Sequence, residues 1–422
     1  MLINFKFKNF RSFKNETVLS MQATKDDSFK GLNTFFVKDG LLPADENELL
    51  KSVVLYGPNA SGKSNVLKGL RYMQSAVILS SIIIPRSKIQ ENETFAFCAD
   101  CEKKDSMYEV DFIQNDVFYR YGFVVNDGKV VKEYLFKRVE RLVNVFDREQ
   151  NSIELNGVSK EATKLIRLDS RTLFLSIARI YVLSPDLMKA ILDTMTWFEK
   201  LLIVFEETVN SFSMYEQNNN KYRNEALQIM KMADLGIKDF KVYREDITAP
   251  DFGFNSLLQI EQNSNGLKKI DLKTIFNVYD EHGKQVGEKE YLMLRQSDFN
   301  SEGTKKLMFY LGWILHSLDE GRVLLLDELD SKLHLLLADY ILKSYNSISK
   351  NMKNAQLIST AHNLMLMDGD MRRDQIYFTA KNEIGISSLH SLSDYKNVRK
   401  NDLFSKKYLL GFYSSVPDFN RE

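Results

Sequence analysis

The spacing of apolar and polar positions changes period several times along the chain. Residues 1 to about 25, beginning MLINFKFKNFRSFKNETVLSM, alternate apolar with basic or polar side chains and read as two short strands. SVVLYG, Ser52 to Gly57, is an unbroken apolar run ending in glycine, the pattern of a buried strand feeding a loop. KSNVLKGLRYMQSAVILSS then repeats at helical spacing. From about Phe95 to Phe146, the pieces YEVDFI, VFYRYGFVV and YLFKRVERLVNVF are separated by turn signals such as Asn126 to Gly128, which predicts an antiparallel meander. Ser184 to Met232 reads as helical, with Pro185 near a helix start and Asn218 to Asn220 as a turn between helices. LGIKDFKVY and a polar stretch to about Gly287 follow.

Beyond that point the pattern alternates. A helix in EGTKKLMFYLGWILHSL leads to a strand in RVLLLDE, a helix in SKLHLLLADYILKSY, a strand in AQLISTAH and a last strand in DQIYFTAK. Alternation of this kind predicts an α/β fold with a parallel sheet, here joined to an antiparallel layer. No repeat or low-complexity tract marks a boundary, so division rests on periodicity: an N-terminal lobe at 1–183, a helical insertion at 184–245 and a C-terminal lobe at 246–422.

Composition narrows the class. With 44% hydrophobic residues over 422 positions the chain can bury a large core. Lys plus Arg and Asp plus Glu both number 57, so no global basic field points to nucleic acid or an anionic membrane. No apolar run reaches the roughly 18 to 20 residues of a membrane helix, and the N-terminus lacks the apolar core of a signal peptide. These features predict a cytoplasmic protein. The two cysteines, Cys98 and Cys101, fit a reducing compartment in which no disulfide framework is expected, and their C-x-x-C lacks further ligands for a zinc site.

GPNASGKS matches G-x-x-x-x-G-K-[ST] and lies between a predicted strand and a predicted helix. Gly57, Pro58, Asn59, Ala60, Ser61, Gly62, Lys63, Ser64 and Asn65 are therefore candidates to cradle the phosphates of ATP. Glycines let backbone amides point at phosphate oxygens, the following helix adds its positive end, Lys63 reaches the outer phosphates and Ser64 takes a magnesium position. In VLLLDE, an apolar strand delivers Asp327 and Glu328 to its carboxyl end, where parallel sheets bind ligands. Asp327 suits the Mg2+ shell, and Glu328 suits the general base that activates water. Glu206 and Glu207, by contrast, read as a solvated helix face, and the short basic clusters at Met371–Gln375 and Lys396–Lys400 as solvated rather than groove-reading; Arg11 could approach nucleotide or DNA near the head surface, a surface arginine being the blander reading.

Two more pieces complete an order. SEGTKK, a Ser-x-Gly turn opening a helix, precedes Asp327 by about 26 residues, and LISTAHN ends a strand about 35 residues after it. This succession resembles the ABC-type ATPase heads of the SMC, RecF and OLD families. The resemblance implies an ABC-type P-loop ATPase head with a helical insertion in the long gap. It further implies that Ser301, Glu302, Gly303 and Thr304 contact nucleotide held by a second subunit, that Asp330 lies in the D-loop, and that His362 is the switch histidine. A narrower likeness covers nearly the whole chain: FKNFRSFKNETVLSMQA, YGPNASGKSNVLKGL, YRYGFVV, DLGIKDFKV, SEGTKKL, LLLDELDSKLH, RRDQIYFTAK and the ending SLSDYKNVRKND with KKYLLGFYSSVP resemble prokaryotic ATPases of the RloA and AbiL kind from phage-defence loci.

That likeness implies a sensor or scaffold in abortive infection, a homodimer or higher homo-oligomer, and an effector protein, expected to be a nuclease encoded nearby, since no acidic TOPRIM-like segment follows the head. The chain departs from the pattern in offering Arg179 where a Q-loop glutamine is expected, and Ser301-Glu302-Gly303 in place of Ser-Gly-Gly. The alternative is a RecF- or SMC-like factor whose ATP closes a clamp on DNA. A hexameric AAA+ motor would place its acidic strand much nearer the phosphate loop.

Overall fold

The computed structural model describes residues 1–43, 45–80, 93–138, 140–205, 211–233, 235–246, 259–263, 266–294, 300–396, 398–399 and 402–413. Glu206 and Glu207 lie outside them, as do Asn397 and Lys400 of the second basic cluster. At the centre is a six-stranded sheet in the order Leu202–Val204, Val323–Leu326, Gln356–Thr360, Ser52–Tyr56, Ile376–Lys381 and Ser387–Ser391. The first five strands run parallel and the last is antiparallel. Every residue of Ser52–Tyr56, Val323–Leu326 and Gln356–Thr360 is buried, which is why these strands read as continuous apolar runs.

The second layer is a seven-stranded antiparallel sheet. It runs Ser152–Leu155, Leu142–Glu149, Lys129–Arg138, Val117–Asn126, Ser106–Gln114, Leu2–Lys8 and Thr17–Ser20. The meander follows the turn signals: Asp127 and Gly128 both take positive φ, 46° and 67°, as a two-residue hairpin requires. At the N-terminus, Phe5 and Phe7 are fully buried while Lys8 points to solvent. The helices Lys63–Leu79 and Pro185–Lys200 pack together against this layer, and Gln74 Nε2 bonds the carbonyls of Phe198 and Leu201 at 2.8 and 2.7 Å.

Two regions depart from their sequence pattern. The stretch 184–245 holds the helices Pro185–Lys200, started by Ser184 Oγ accepting from Leu187 N, and Lys221–Met232, but also the strand Leu202–Val204. This strand is the parallel neighbour of Val323–Leu326; three residues are too few to register a period of two. The polar stretch before Gly287 forms most of a four-stranded antiparallel sheet of Asp239–Asp246, Gln259–Asn263, Gly266–Tyr279 and Gln285–Leu292. Phe240, Ile270, Leu272 and Ile275 are buried, whereas residues 285–290 of the last strand are all exposed. Successive strand residues point to opposite faces, so most of this last strand is wet on both, and its polar composition shows no alternation to mark it.

The cysteines also differ from expectation. The structure joins Cys98 to Cys101 in a disulfide. A tight turn brings the two Cα atoms to 5.3 Å, within bonding geometry. Among the described residues, no helix is long and apolar enough to cross a membrane.

Candidate active site

The loop Gly57–Gly62 leaves the buried strand Ser52–Tyr56 at its carboxyl end and turns through positive φ at Gly57, Ala60 and Gly62. The helix Lys63–Leu79 follows with no side-chain cap and no acidic residue in its first turn. Its positive end thus remains open to an anion. Asn59 to Asn65 line a cavity of about 1170 Å³, together with Glu328 and His362. Gly57 and Pro58 lie beneath, and their carbonyls accept from Lys63 Nζ at 2.7 and 3.1 Å. Burial pushes the Lys63 ammonium below the usual lysine range, partly offset by Asp327, Glu328 and Asp330.

Asp327 and Glu328 emerge from Val323–Leu326 beside this loop. Ser64 Oγ donates to Asp327 Oδ1 at 2.9 Å, and Thr360 Oγ1 donates to the same oxygen at 2.6 Å. Two hydroxyls converging on one carboxylate oxygen at the strand ends form an oxygen-rich corner of the type a hard divalent cation takes, so Ser64 and Asp327 fit magnesium. The amide-lined loop and helix end fit the phosphates of a nucleotide in the same way.

Glu328 stands in the left-handed region, φ 51°, which costs a side-chain-bearing residue about 1–2 kcal/mol. Three bonds hold it there. Glu328 N donates to Thr360 Oγ1 at 2.7 Å, Leu329 N donates to Thr360 O at 2.9 Å, and Lys306 Nζ donates to Glu328 O at 2.7 Å. Tyr310 OH adds a bond to Asp327 O at 2.9 Å. The bend turns the half-buried Glu328 onto the cavity wall. Thr360, Lys306 and Tyr310 escape a motif reading because each acts from a buried position whose partner is distant in sequence. Only the place of Thr360 at a strand end, two residues before His362, hints at a role.

Asp330 accepts from His362 N at 2.9 Å and from Asn363 N, tying the acidic-strand loop to the exposed His362. Ser301, Glu302 and Gly303 lie apart from the cavity lining. Ser301 Oγ caps its own helix, Glu302–Glu320, accepting from Thr304 N at 3.1 Å. The Glu302 carboxylate takes bonds from Lys305 Nζ at 2.7 Å and Lys332 Nζ at 3.2 Å, which hold it below the usual carboxylate range. Gly303 has to be glycine, since a Cβ there would collide with the Lys332 carbonyl. The Ser-x-Gly turn is thereby packed against the loop that carries Asp330.

Arg11 reaches the cavity wall and pairs with Glu93 at 2.6 Å. Arg179 does not; it pairs on the surface with Glu199 at 3.2 Å. Ser12, Phe97, Glu102, Asp127 and Lys381 also line the cavity, and no nucleotide-binding motif marks them.

A phosphate loop whose serine meets a carboxylate at the end of a parallel strand one place removed in the sheet, with Gln356–Thr360 between them and an antiparallel layer behind, places the chain in the P-loop ATPase class. More particularly, the chain belongs to the family described as "AAA domain, putative AbiEii toxin, Type IV TA system", whose profile matches residues 52–368. The match runs from the phosphate-loop strand through the acidic strand to beyond His362. Among solved structures, the chain is similar to the SmcHead crystallised with the C-winged helix domain of ScpA, at 14% identity and a TM-score of 0.43, over 92% of this chain and 97% of that one. No curated protein matches it.

Proposed function

We propose that the protein is an ATP-hydrolysing ABC-class ATPase whose nucleotide is sandwiched between two copies of the chain. The observation that carries this reading is the convergence of Ser64, Thr360 and Glu328 on the Asp327 strand end, beside an open helix terminus. In this reading the amides of Gly57 to Asn65 and the Lys63 ammonium bind the phosphates. Mg2+, when bound with ATP, would be held by Ser64 and Asp327 and would neutralise phosphate charge. Glu328 takes the proton of the attacking water, at an angle set by its left-handed backbone. His362 contacts the terminal phosphate from the cavity wall, and its backbone is held by Asp330. Ser301, Glu302, Gly303 and Thr304 of the second copy close the site from across the interface.

A site shared between copies makes turnover a conformational switch, because ATP bridges both chains and ADP does not. The biological role follows the RloA and AbiL likeness: a cytoplasmic sensor or scaffold of anti-phage defence that controls a nuclease effector encoded nearby. The family's toxin–antitoxin description supports that direction.

The test is Glu328→Gln, followed by ATP turnover and mass photometry, alone and with the product of the neighbouring gene. Turnover should fall roughly 100-fold or more, while ATP drives a larger assembly that retains the neighbour. Persistent turnover with no change in assembly would overturn the assignment of the base and of the sandwich. ATP-stimulated, salt-dependent binding of duplex DNA by the chain alone would favour the clamp reading instead.

A further inference from the structure

The cavity above the phosphate loop has a wall that the roles just proposed leave unused. Its large apolar side chain is Phe97, which is 64% exposed, while the adjoining Phe95 is 2% exposed and meets it edge-on with ring centroids 5.9 Å apart. A single exposed phenylalanine is unremarkable on a surface. This one is held in place on three sides. Lys381 Nζ lies 5.0 Å from its ring centroid. Its ring edge rests on Gly385, where φ is +80° and a Cβ would sit 2.7 Å from Phe97 Cδ2, so the close approach requires glycine. The disulfide Cys98–Cys101 follows directly.

The turn that presents Phe97 is also registered to the phosphate loop by one short strut, residues 9–12. The buried Asn9 amide donates to Cys101 O and Lys104 O at 3.0 and 3.1 Å, and its oxygen accepts from Phe95 N at 3.1 Å. Arg11 exchanges backbone bonds with Glu93 and Ala96 at 2.7 and 3.2 Å. Ser12 Oγ then accepts from Asn65 Nδ2 at 2.9 Å, in the first turn of the phosphate-loop helix. The backbone flanking Phe97 and the phosphate-loop helix are thus bonded to the same four residues.

From this geometry we infer that Phe97 is the platform on which the base of the nucleotide stacks. A flat, exposed apolar ring on the cavity wall answers the base of a nucleotide, which phosphate-binding groups leave without a partner, and a purine offers the wider π-face. Glu102 and Asp127 line the same cavity and supply acceptors for the base amino group and the ribose hydroxyls. The inference rests on the reading that the phosphate loop holds a nucleoside triphosphate.

Isothermal titration of the full chain with Mg2+ and either ATP or inorganic tripolyphosphate separates the two. Phe97→Ala should weaken ATP roughly five- to hundred-fold and leave tripolyphosphate unchanged, and Phe97→Trp should keep the wild-type affinity for ATP. If Phe97→Ala leaves ATP affinity intact, or weakens both ligands equally, the stacking platform is overturned while the phosphate-loop reading survives. If the wild-type chain binds neither ligand, the underlying reading falls and the platform falls with it.

Discussion

The two ends of the site are built to different degrees within one chain. At the phosphate-loop end, the loop, the acidic strand and the histidine strand meet through bonds between buried or half-buried groups, with Thr360 touching both Asp327 and Glu328. At the Ser-x-Gly end, Ser301 and Glu302 are exposed, and their bonds go to the buried Thr304 and Lys305 and the exposed Lys332 of the same chain. On the proposed reading, the first end is a complete phosphate receptor. The second presents a helix terminus outward, away from the cavity its own chain forms. On the proposed reading, binding is therefore a property of one chain and turnover a property of two.

The sharpest way to break this comparison is Ser301→Arg. Turnover should fall roughly 100-fold, the scale of losing a donor to developing phosphate charge, while ATP affinity measured by calorimetry stays within about two-fold. A large loss of affinity would place Ser301 in its own chain's receptor. Because Ser301 Oγ also caps its helix, worth about 1 kcal/mol, thermal melting is followed in parallel to separate stability from chemistry.

A smaller effect is expected where the two ends are joined. Lys306 lies on the helix opened by Ser301, yet its ammonium holds the Glu328 carbonyl. Lys306→Met should lower kcat about ten-fold with KM nearly unchanged, the loss of about 1.4 kcal/mol in the transition state alone, and Lys306→Arg should restore part of it. A change confined to KM would detach Lys306 from the base and leave the two ends independent.

The smallest effect lies outside the site and concerns acid stability. Burial alone would raise the Asp26 carboxyl, but bonds from Ser28 N at 2.9 Å and Arg373 at 2.8 Å outweigh it and bring the group from 3.8 to about 2. A carboxylate depressed by folding stabilises the native state above its unfolded value. That contribution disappears as pH falls from 3.8 toward about 2. Asp26→Asn should therefore melt earlier than wild type at neutral pH, with the gap narrowing across that window, and a gap independent of pH would remove the ionic contribution.

The apolar runs around Ser52–Tyr56 and Val323–Leu326 were legible because both strands are covered on both faces, so their composition carries the signal. The hairpin at Asp127 and Gly128 was legible because positive φ restricts residue choice. The sheet of Asp239–Leu292 was hidden by its polar, widely exposed strands, and Leu202–Val204 by its length. Within the site, the motif residues could be named in advance, whereas Thr360, Lys306 and Phe97 could not. Their importance comes from what they touch, and those partners lie 22 residues or more away for the bonds of Lys306 and Thr360 to Glu328.

By itself, the sequence determined the chemistry available: a glycine-rich loop before a helix, a lysine and serine at its start, and two acids at the end of an apolar strand. Each of these is a local pattern, because backbone conformation and strand burial constrain neighbouring residues. The tertiary structure alone decided how those groups are aimed. The left-handed turn at Glu328 persists because Thr360 and Lys306, from two other elements, hold the peptides on either side of it, and local propensity does not favour such a turn. The aromatic wall at Phe97 is likewise set by Asn9, Gly385 and Lys381, which only the folded chain brings together.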